Sequence, residues 1–70
     1  MPIIEMHLLE GRSPELKRKA VAAITNAVIE SLGVRRDQVR ILITEHGPDN
    51  FSVGGITVAE RSEPTSPDAG

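Results

Sequence analysis

The chain has 70 residues, a formal net charge of −2 and no cysteine. The missing cysteines exclude disulfides, thiolate metal ligands and a cysteine nucleophile, and they fit a reducing cytoplasm. With one aromatic residue, Phe51, no basic stripe and only short apolar runs, the sequence predicts neither nucleic-acid binding nor a membrane span. One domain of this size is marginally stable alone, so oligomerisation is the expected source of further stability.

The amino-terminal half predicts a strand followed by a helix. Residues 3–10, IIEMHLLE, place apolar residues at a spacing close to two and predict a strand. Ser13 is positioned to cap a helix, and Pro14 suits its first turn. Gly33 suits the left-handed residue that ends a helix. The apolar stripe between these ends predicts a helix over about residues 13–32.

The carboxyl-terminal half predicts a second strand and a hairpin. Residues 39–45, VRILITE, form the strand, and the Gly-Pro and Asp-Asn pairs in HGPDN, residues 46–50, predict a turn. Residues 51–60, FSVGGITVAE, predict a short hairpin that bends at its paired glycines. Residues 61–70 hold two prolines and no apolar residue beyond alanine, which predicts a flexible tail after one domain at 1–60.

Strand, helix and strand in this order form a βαβ unit, so the predicted class is α/β (α+β) with a parallel strand pair, a right-handed crossover and a short hairpin. A sheet with a single helix leaves one face uncovered. The alternation of side chains places Ile3, Leu9 and Leu42 on that face. Because these residues do not suit water, we expect the face to meet another subunit.

Pro2 follows the initiator methionine and has two interpretations. Proline has no backbone N–H, so it is best tolerated at the first residue of an edge strand. Alternatively, removal of Met1 makes Pro2 a free secondary amine. Burial or cationic neighbours would disfavour its protonated form and lower the pKa of the amine, which makes it a general base near neutral pH. The residue types alone leave both interpretations open.

Two arginines complete a possible site with Pro2. Arg40 interrupts an apolar strand on the face expected to be covered, where a charge needs a protein carboxylate or an anionic ligand. Arg12 precedes the helix and is equally compatible with a solvated turn. Guanidinium groups bind carboxylates bidentately and stabilise a developing oxyanion. An amine base beside two arginines is therefore suited to proton abstraction next to a keto acid.

Four stretches together resemble the 4-oxalocrotonate tautomerase family: the proline after Met1, LLEGRS at 8–13, VRILITE at 39–45 and NFSVGG at 50–55. The resemblance extends from residue 2 to about residue 58 without a gap. It implies short βαβ chains that assemble as hexamers, sometimes heterohexamers, with a site shared between subunits, so that Arg40, and possibly Arg12, act on the Pro2 of another chain. It also implies catalysis by the amino-terminal proline without metal or cofactor.

The same resemblance implies a role for each matching residue. Pro2 matches the proton-shuttling base, Arg12 the arginine that polarises the 2-keto oxygen, and Arg40 the arginine that holds the far carboxylate. Phe51 matches the aromatic wall that keeps the amine pKa low, while Leu9 and Val53 match apolar lining positions. The implied reaction converts a conjugated 2-hydroxy-dienoic acid, such as 2-hydroxymuconate, to its 2-oxo isomer. The family is best known from the degradation of aromatic compounds.

Two positions differ from the family pattern, and a third disfavours one of the family's activities. Glu5 adds a negative charge near the site, and Gln38 replaces a small hydroxyl residue. Val53 occupies the position at which the halo-acrylate dehalogenases of the family need an acid, which disfavours that activity.

Two further interpretations concern the histidines and the overall function. His7 and His46 have no metal-ligand spacing and are expected to be surface or hydrogen-bonded residues. The alternative function is a non-catalytic oligomeric module that binds a dicarboxylate or a partner protein.

Overall fold

The computed structural model describes residues 1–62. The order of its helices and strands is β1 (Ile3–Leu9), α1 (Pro14–Leu32), β2 (Arg40–His46), β3 (Ser52–Val53), β4 (Ile56–Thr57) and α2 (Val58–Arg61). Strands β1 and β2 pair in parallel, and β3 and β4 form an antiparallel hairpin. The predicted fold class is therefore confirmed. The predicted tail at 61–70 lies outside the described residues, apart from Arg61 and Ser62.

Helix α1 begins and ends where the sequence predicts. The Ser13 hydroxyl accepts a hydrogen bond from the Leu16 amide at 3.4 Å. Gly33 has φ 69°, and its amide donates to the Ile29 carbonyl at 2.9 Å. Glycine has no Cβ and therefore adopts the left-handed conformation without steric cost. Gly33 can for this reason end the helix.

The predicted hairpin at 51–60 needs a correction, because its strands end at Thr57 and α2 follows. The Thr57 hydroxyl accepts from the Glu60 amide at 3.1 Å. The Thr57 amide and hydroxyl donate to Glu60 Oε1 at 3.1 and 3.0 Å. This reciprocal capping satisfies amide donors that a longer strand would have to pair elsewhere. The sequence contains the capping pattern, but its β-branched residues favour a strand.

The chain divides into two compact units, and the first comprises Met1–Met6 and Gly11–Thr44. In this unit the half-buried residues of α1 recur three or four positions apart, at Lys17, Ala20, Val21, Ile24, Thr25, Val28 and Ile29. Those of the strands alternate, at Ile4, Met6, Ile41 and Ile43. The two spacings are those of a helix with one face on a sheet.

The other face of the strands is open, as predicted. Ile3 is 59% exposed and Leu42 is 51% exposed. Leu9 is half-buried. No residue within 1–62 is fully buried, so a single copy of the described chain has no dry core. Helix α1 also leaves apolar residues exposed, at Leu16, Ala23, Ala27 and Leu32.

The second unit comprises His7–Glu10 and, of the described residues, 45–62. Its hairpin turns at Gly54 and Gly55, whose φ angles of 64° and 85° require residues without a Cβ. The short helix α2 packs on β4 and on a 3-10 turn at Pro48–Asn50. The Val58 amide donates to the Phe51 carbonyl at 2.8 Å and fixes the entry to this hairpin.

Neither helix in residues 1–62 combines the length and the apolar character needed to cross a membrane.

Acidification should loosen α2. The hydrogen bonds from the Thr57 amide and then the Thr57 hydroxyl hold the pKa of Glu60 below its ordinary value. The capping contribution is therefore present above the unfolded-state pKa and is lost as pH falls through the lower, folded-state value. Backbone ¹³C shifts of residues 57–61 should lose helical character over that range. In Glu60→Gln, which keeps an acceptor but does not titrate, the shifts should be independent of pH; an unchanged pH response would contradict the cap.

Stability should rise with protein concentration. If another copy covers the open sheet face, mass action stabilises the folded state, and Tm increases over an about hundredfold concentration range. Leu42→Asp should lower Tm and shift sedimentation toward the monomer, because the charge would be buried in the contact. Lys19→Gln, on an exposed position of α1, is the matched control and should do neither. A monomeric wild type with a concentration-independent Tm would refute the association.

Candidate active site

Backbone pairing brings Pro2 and Arg40 side by side in the first unit. The Arg40 amide donates to the Pro2 carbonyl at 3.0 Å. Pro2 lies just before the first residue of β1 and is half-buried. Its nitrogen has no place in the hydrogen-bond ladder, since proline cannot donate. The sheet therefore holds Pro2 through its carbonyl and leaves its nitrogen available for chemistry once Met1 is absent.

The Arg40 side chain is exposed on the open face of β2. Its Nη1 donates to the Gln38 carbonyl at 3.1 Å. Gln38 closes a 3-10 turn, in which its Oε1 accepts from the Arg35 amide at 3.0 Å. Gln38, which differs from the small hydroxyl residue of the family pattern, therefore has a structural role. Its side chain fixes the 3-10 turn, and its backbone carbonyl orients the Arg40 guanidinium. A protein carboxylate is not needed to hold Arg40 in this position.

Arg12 lies beyond the far end of β1. It sits in the exposed segment between β1 and α1 and takes part in interactions of its own. The seven residues of β1 separate it from Pro2, a length of about 23 Å at about 3.3 Å per residue. That length exceeds the reach of an arginine side chain. Arg12 therefore cannot act on Pro2 of its own chain while β1 is a regular strand.

The remaining predicted residues, Leu9, Phe51 and Val53, belong to the second unit. Leu9 and Phe51 are half-buried, and Val53 is 59% exposed at the hairpin. Arg61 Nη2 donates to the Val53 carbonyl at 3.2 Å and ties the hairpin to α2. The exposed Val53 side chain offers an apolar surface and no acid.

Sequence reasoning did not connect His7 with His46. In the structure His7 Nδ1 and His46 Nε2 are 2.9 Å apart, and the Phe51 ring meets His46 at a centroid distance of 6.5 Å and an angle of 71°. No local sequence pattern indicates this contact, because it depends on the register of two strands that are distant in sequence. Both histidines being hydrogen-bonded agrees with the expectation from sequence.

A single copy does not enclose a substrate. The described part of the chain forms no pocket, although Pro2, Arg40 and the apolar residues of the open face are all present. Ile3 and Leu42 flank this face and are largely exposed. A closed, water-poor site therefore requires a further surface over the face.

Comparisons with known proteins show the family to which the chain belongs. The family model for tautomerase enzymes matches residues 2–61. A probable tautomerase of Staphylococcus epidermidis is 36% identical over 61 residues, which make up 87% of this chain and 100% of that protein.

Two solved structures share the fold. A 4-oxalocrotonate tautomerase isozyme from Methylibium petroleiphilum is 64% identical with a TM-score of 0.85, over 87% of this chain and 95% of that chain. A chain of a heterohexameric 4-oxalocrotonate tautomerase from Chloroflexus aurantiacus J-10-fl is 37% identical with a TM-score of 0.82, over 86% and 97% of the two chains. The resemblance that the sequence motifs indicated is confirmed: the chain belongs to the tautomerase family, and it is an isomerase that interconverts keto and enol forms.

Proposed function

We propose that the enzyme converts a conjugated 2-hydroxy-dienoic acid, with 2-hydroxymuconate as the reference substrate, to its 2-oxo isomer. The observation that supports this best is the pairing of Pro2 with Arg40 through the 3.0 Å backbone hydrogen bond. It places a potential amine base next to a strand that presents a guanidinium on the same open sheet. Both groups match the chemistry of a dianionic enol substrate.

Pro2 acts as the general base after Met1 has been removed. Its neutral secondary amine takes the proton of the substrate's 2-hydroxyl group, and the electrons of that O–H bond form the 2-oxo group. The double bonds shift along the chain, and the same nitrogen returns the proton to a carbon atom. The reaction is an isomerisation, so protons and electrons balance without an oxidant or a second reactant. Phe51 keeps the surroundings of the amine apolar, which holds the pKa of the amine low.

The arginines stabilise charge that develops during this transfer. Arg12 contacts the 2-oxo oxygen and the nearby carboxylate, and Arg40 holds the distant carboxylate and draws electron density toward it. Bidentate guanidinium–carboxylate pairing supplies both orientation and electrostatic stabilisation. The Gln38 carbonyl already orients the Arg40 guanidinium at 3.1 Å, so part of its side-chain entropy is lost before substrate binds.

The site is completed by association, as a hexamer of identical or of two related chains. Three observations support this: the open face with Ile3 and Leu42 exposed, the separation of Arg12 from Pro2 along β1, and the lack of a pocket in residues 1–62. The similar Chloroflexus enzyme is a heterohexamer. Leu9 and Val53 line the site with apolar surface, and degradation of aromatic compounds is the proposed setting.

Replacing Pro2 tests the base. Pro2→Ala, with Met1 removal verified by intact mass, should lower kcat/KM for 2-hydroxymuconate by about 10²–10⁴-fold, the usual contribution of a positioned general base. Circular dichroism should be unchanged, because the Pro2 carbonyl pairing survives in alanine. Pro14→Ala, at the first turn of α1, is the matched control and should retain activity. A Pro2→Ala enzyme with most of its turnover would eliminate Pro2 as the base.

Mixing two inactive variants tests the shared site. Pro2→Ala and Arg12→Ala homo-oligomers should each be inactive. Random co-assembly in equal amounts should restore about a quarter of the sites, because each restored site draws an intact Pro2 and an intact Arg12 from different chains. The measurement is turnover after co-refolding, against the separately refolded variants mixed afterwards. No recovery in assembled particles would show that Arg12 does not serve a neighbouring chain.

A further inference from the structure

The side chains of His7 and His46 meet edge to edge. Their centroids are 5.1 Å apart, which is the 2.9 Å Nδ1···Nε2 distance plus about one ring radius on each side. Rings stacked face to face cannot bring two nitrogens within 2.9 Å, since van der Waals contact between the faces would intervene. With an angle of 24° between their planes, the rings are nearly coplanar and joined by an in-line N–H···N hydrogen bond.

His46 in turn contacts Phe51. The two rings meet edge to face at 6.5 Å and 71°. The backbone on both sides of this contact is held: the Glu10 amide donates to the His46 carbonyl at 2.9 Å, and the Val58 amide donates to the Phe51 carbonyl at 2.8 Å. Because the backbone is held on both sides, the orientation of the Phe51 ring depends on the side chains that it contacts. His46 is an aromatic side chain in contact with it.

We propose that the hydrogen-bonded pair of His7 and His46 positions Phe51 and makes that positioning dependent on pH. The proposal rests on the proposed function, because it is there that Phe51 forms the apolar wall of the site. His7 and His46 are positioning residues, since neither is assigned a contact with substrate.

The chemistry of the bond limits how many protons the pair can hold. In the neutral pair, one facing nitrogen donates and the other accepts. One added proton can go to an outward-facing nitrogen and leaves this bond intact. A second makes both facing nitrogens donors, which breaks the bond and places two positive charges at close range. Acidification drives this second uptake of a proton, because imidazole is the side chain whose charge changes near neutral pH.

Five acids and two bases stand on the elements that carry the pair or adjoin them. The acids are Glu5, Glu10, Glu45, Asp49 and Glu60, and the bases are Arg40 and Arg61. Carboxyl groups in general titrate near about pH 4 and imidazoles near about 6.5, so their effects are separable along the pH axis.

Breaking the bond frees the His46 ring from its coplanar position and so alters its edge-to-face contact with Phe51. In the assembled enzyme the wall of the site then loosens on acidification. Between about pH 7.5 and about pH 5.5, we expect kcat/KM to fall further than protonation of the base alone explains. The additional decrease should be about two- to tenfold, which corresponds to the energy of one aromatic contact.

The decisive experiment follows the Phe51 ring by ¹H–¹³C NMR in the full chain between about pH 8 and 5. In the wild type the ring signals should shift as the pair takes up protons. In His46→Gln this shift should be lost. In His7→Gln, which leaves His46 beside Phe51, the midpoint should move because glutamine can hydrogen-bond to His46 but cannot take up a proton. Asp49→Asn, a charge change in the adjoining turn, is the matched control and should reproduce the wild-type curve.

Two results would overturn the proposal: Phe51 signals that do not change with pH in the wild type, or a midpoint that is the same in His7→Gln as in the wild type. The second would mean that Phe51 senses only the charge on His46. Because the NMR readout needs no turnover, it is independent of the proposed reaction. A pH-dependent Phe51 in an enzyme that leaves 2-hydroxymuconate unchanged would uphold the pair and reject the proposed substrate.

Discussion

The parallel pairing of β1 with β2 is the constraint on which the candidate site depends. At the start of the strands, the Arg40 amide is bonded to the Pro2 carbonyl, and at the end the Glu10 amide is bonded to the His46 carbonyl. These two bonds fix the register. A slip of one residue would turn the Arg40 guanidinium toward the helix and would separate His46 from His7. The pairing of Arg40 with Pro2 and the contact of His7 with His46 therefore both depend on this register.

The same sheet explains why this small chain is suited to a shared site. Helix α1 covers one face only, and no residue within the described range is fully buried. Association would bury Ile3 and Leu42 and would remove water from around the guanidinium on that face. Desolvation strengthens its interaction with a bound anion. Stability and catalysis would then draw on the same contact surface, which relates oligomerisation directly to activity.

Local patterns in the sequence predicted much of the fold. The ends of α1 follow from Ser13 and Gly33, whose effects act within one turn and need no tertiary information. The alternation in β1 predicted the open face, including Ile3. Helix α2 was missed because Val58 favours strands, although Thr57 and Glu60 form a capping pair that signals a helix start.

Features that depend on distant residues were beyond sequence reasoning. His7 and His46 are separated by 39 positions, and their contact requires a register that periodicity does not specify. The candidate site residues Pro2, Arg12 and Arg40 were joined by the chemistry of an amine base beside two arginines, and their roles came from the resemblance, since no local pattern links them. The length of β1 then showed that Arg12 lies out of reach of its own Pro2.

The way in which Pro2 enters the sheet separates maturation from folding. Its carbonyl accepts the first interstrand hydrogen bond, its nitrogen donates none, and Met1 beside it is 67% exposed. Cleavage of the methionine consequently breaks no sheet hydrogen bond and can occur before or after the strands pair. On the proposed function, removal of Met1 by an aminopeptidase uncovers the nitrogen atom that acts as the base and leaves the pairing of the two strands undisturbed.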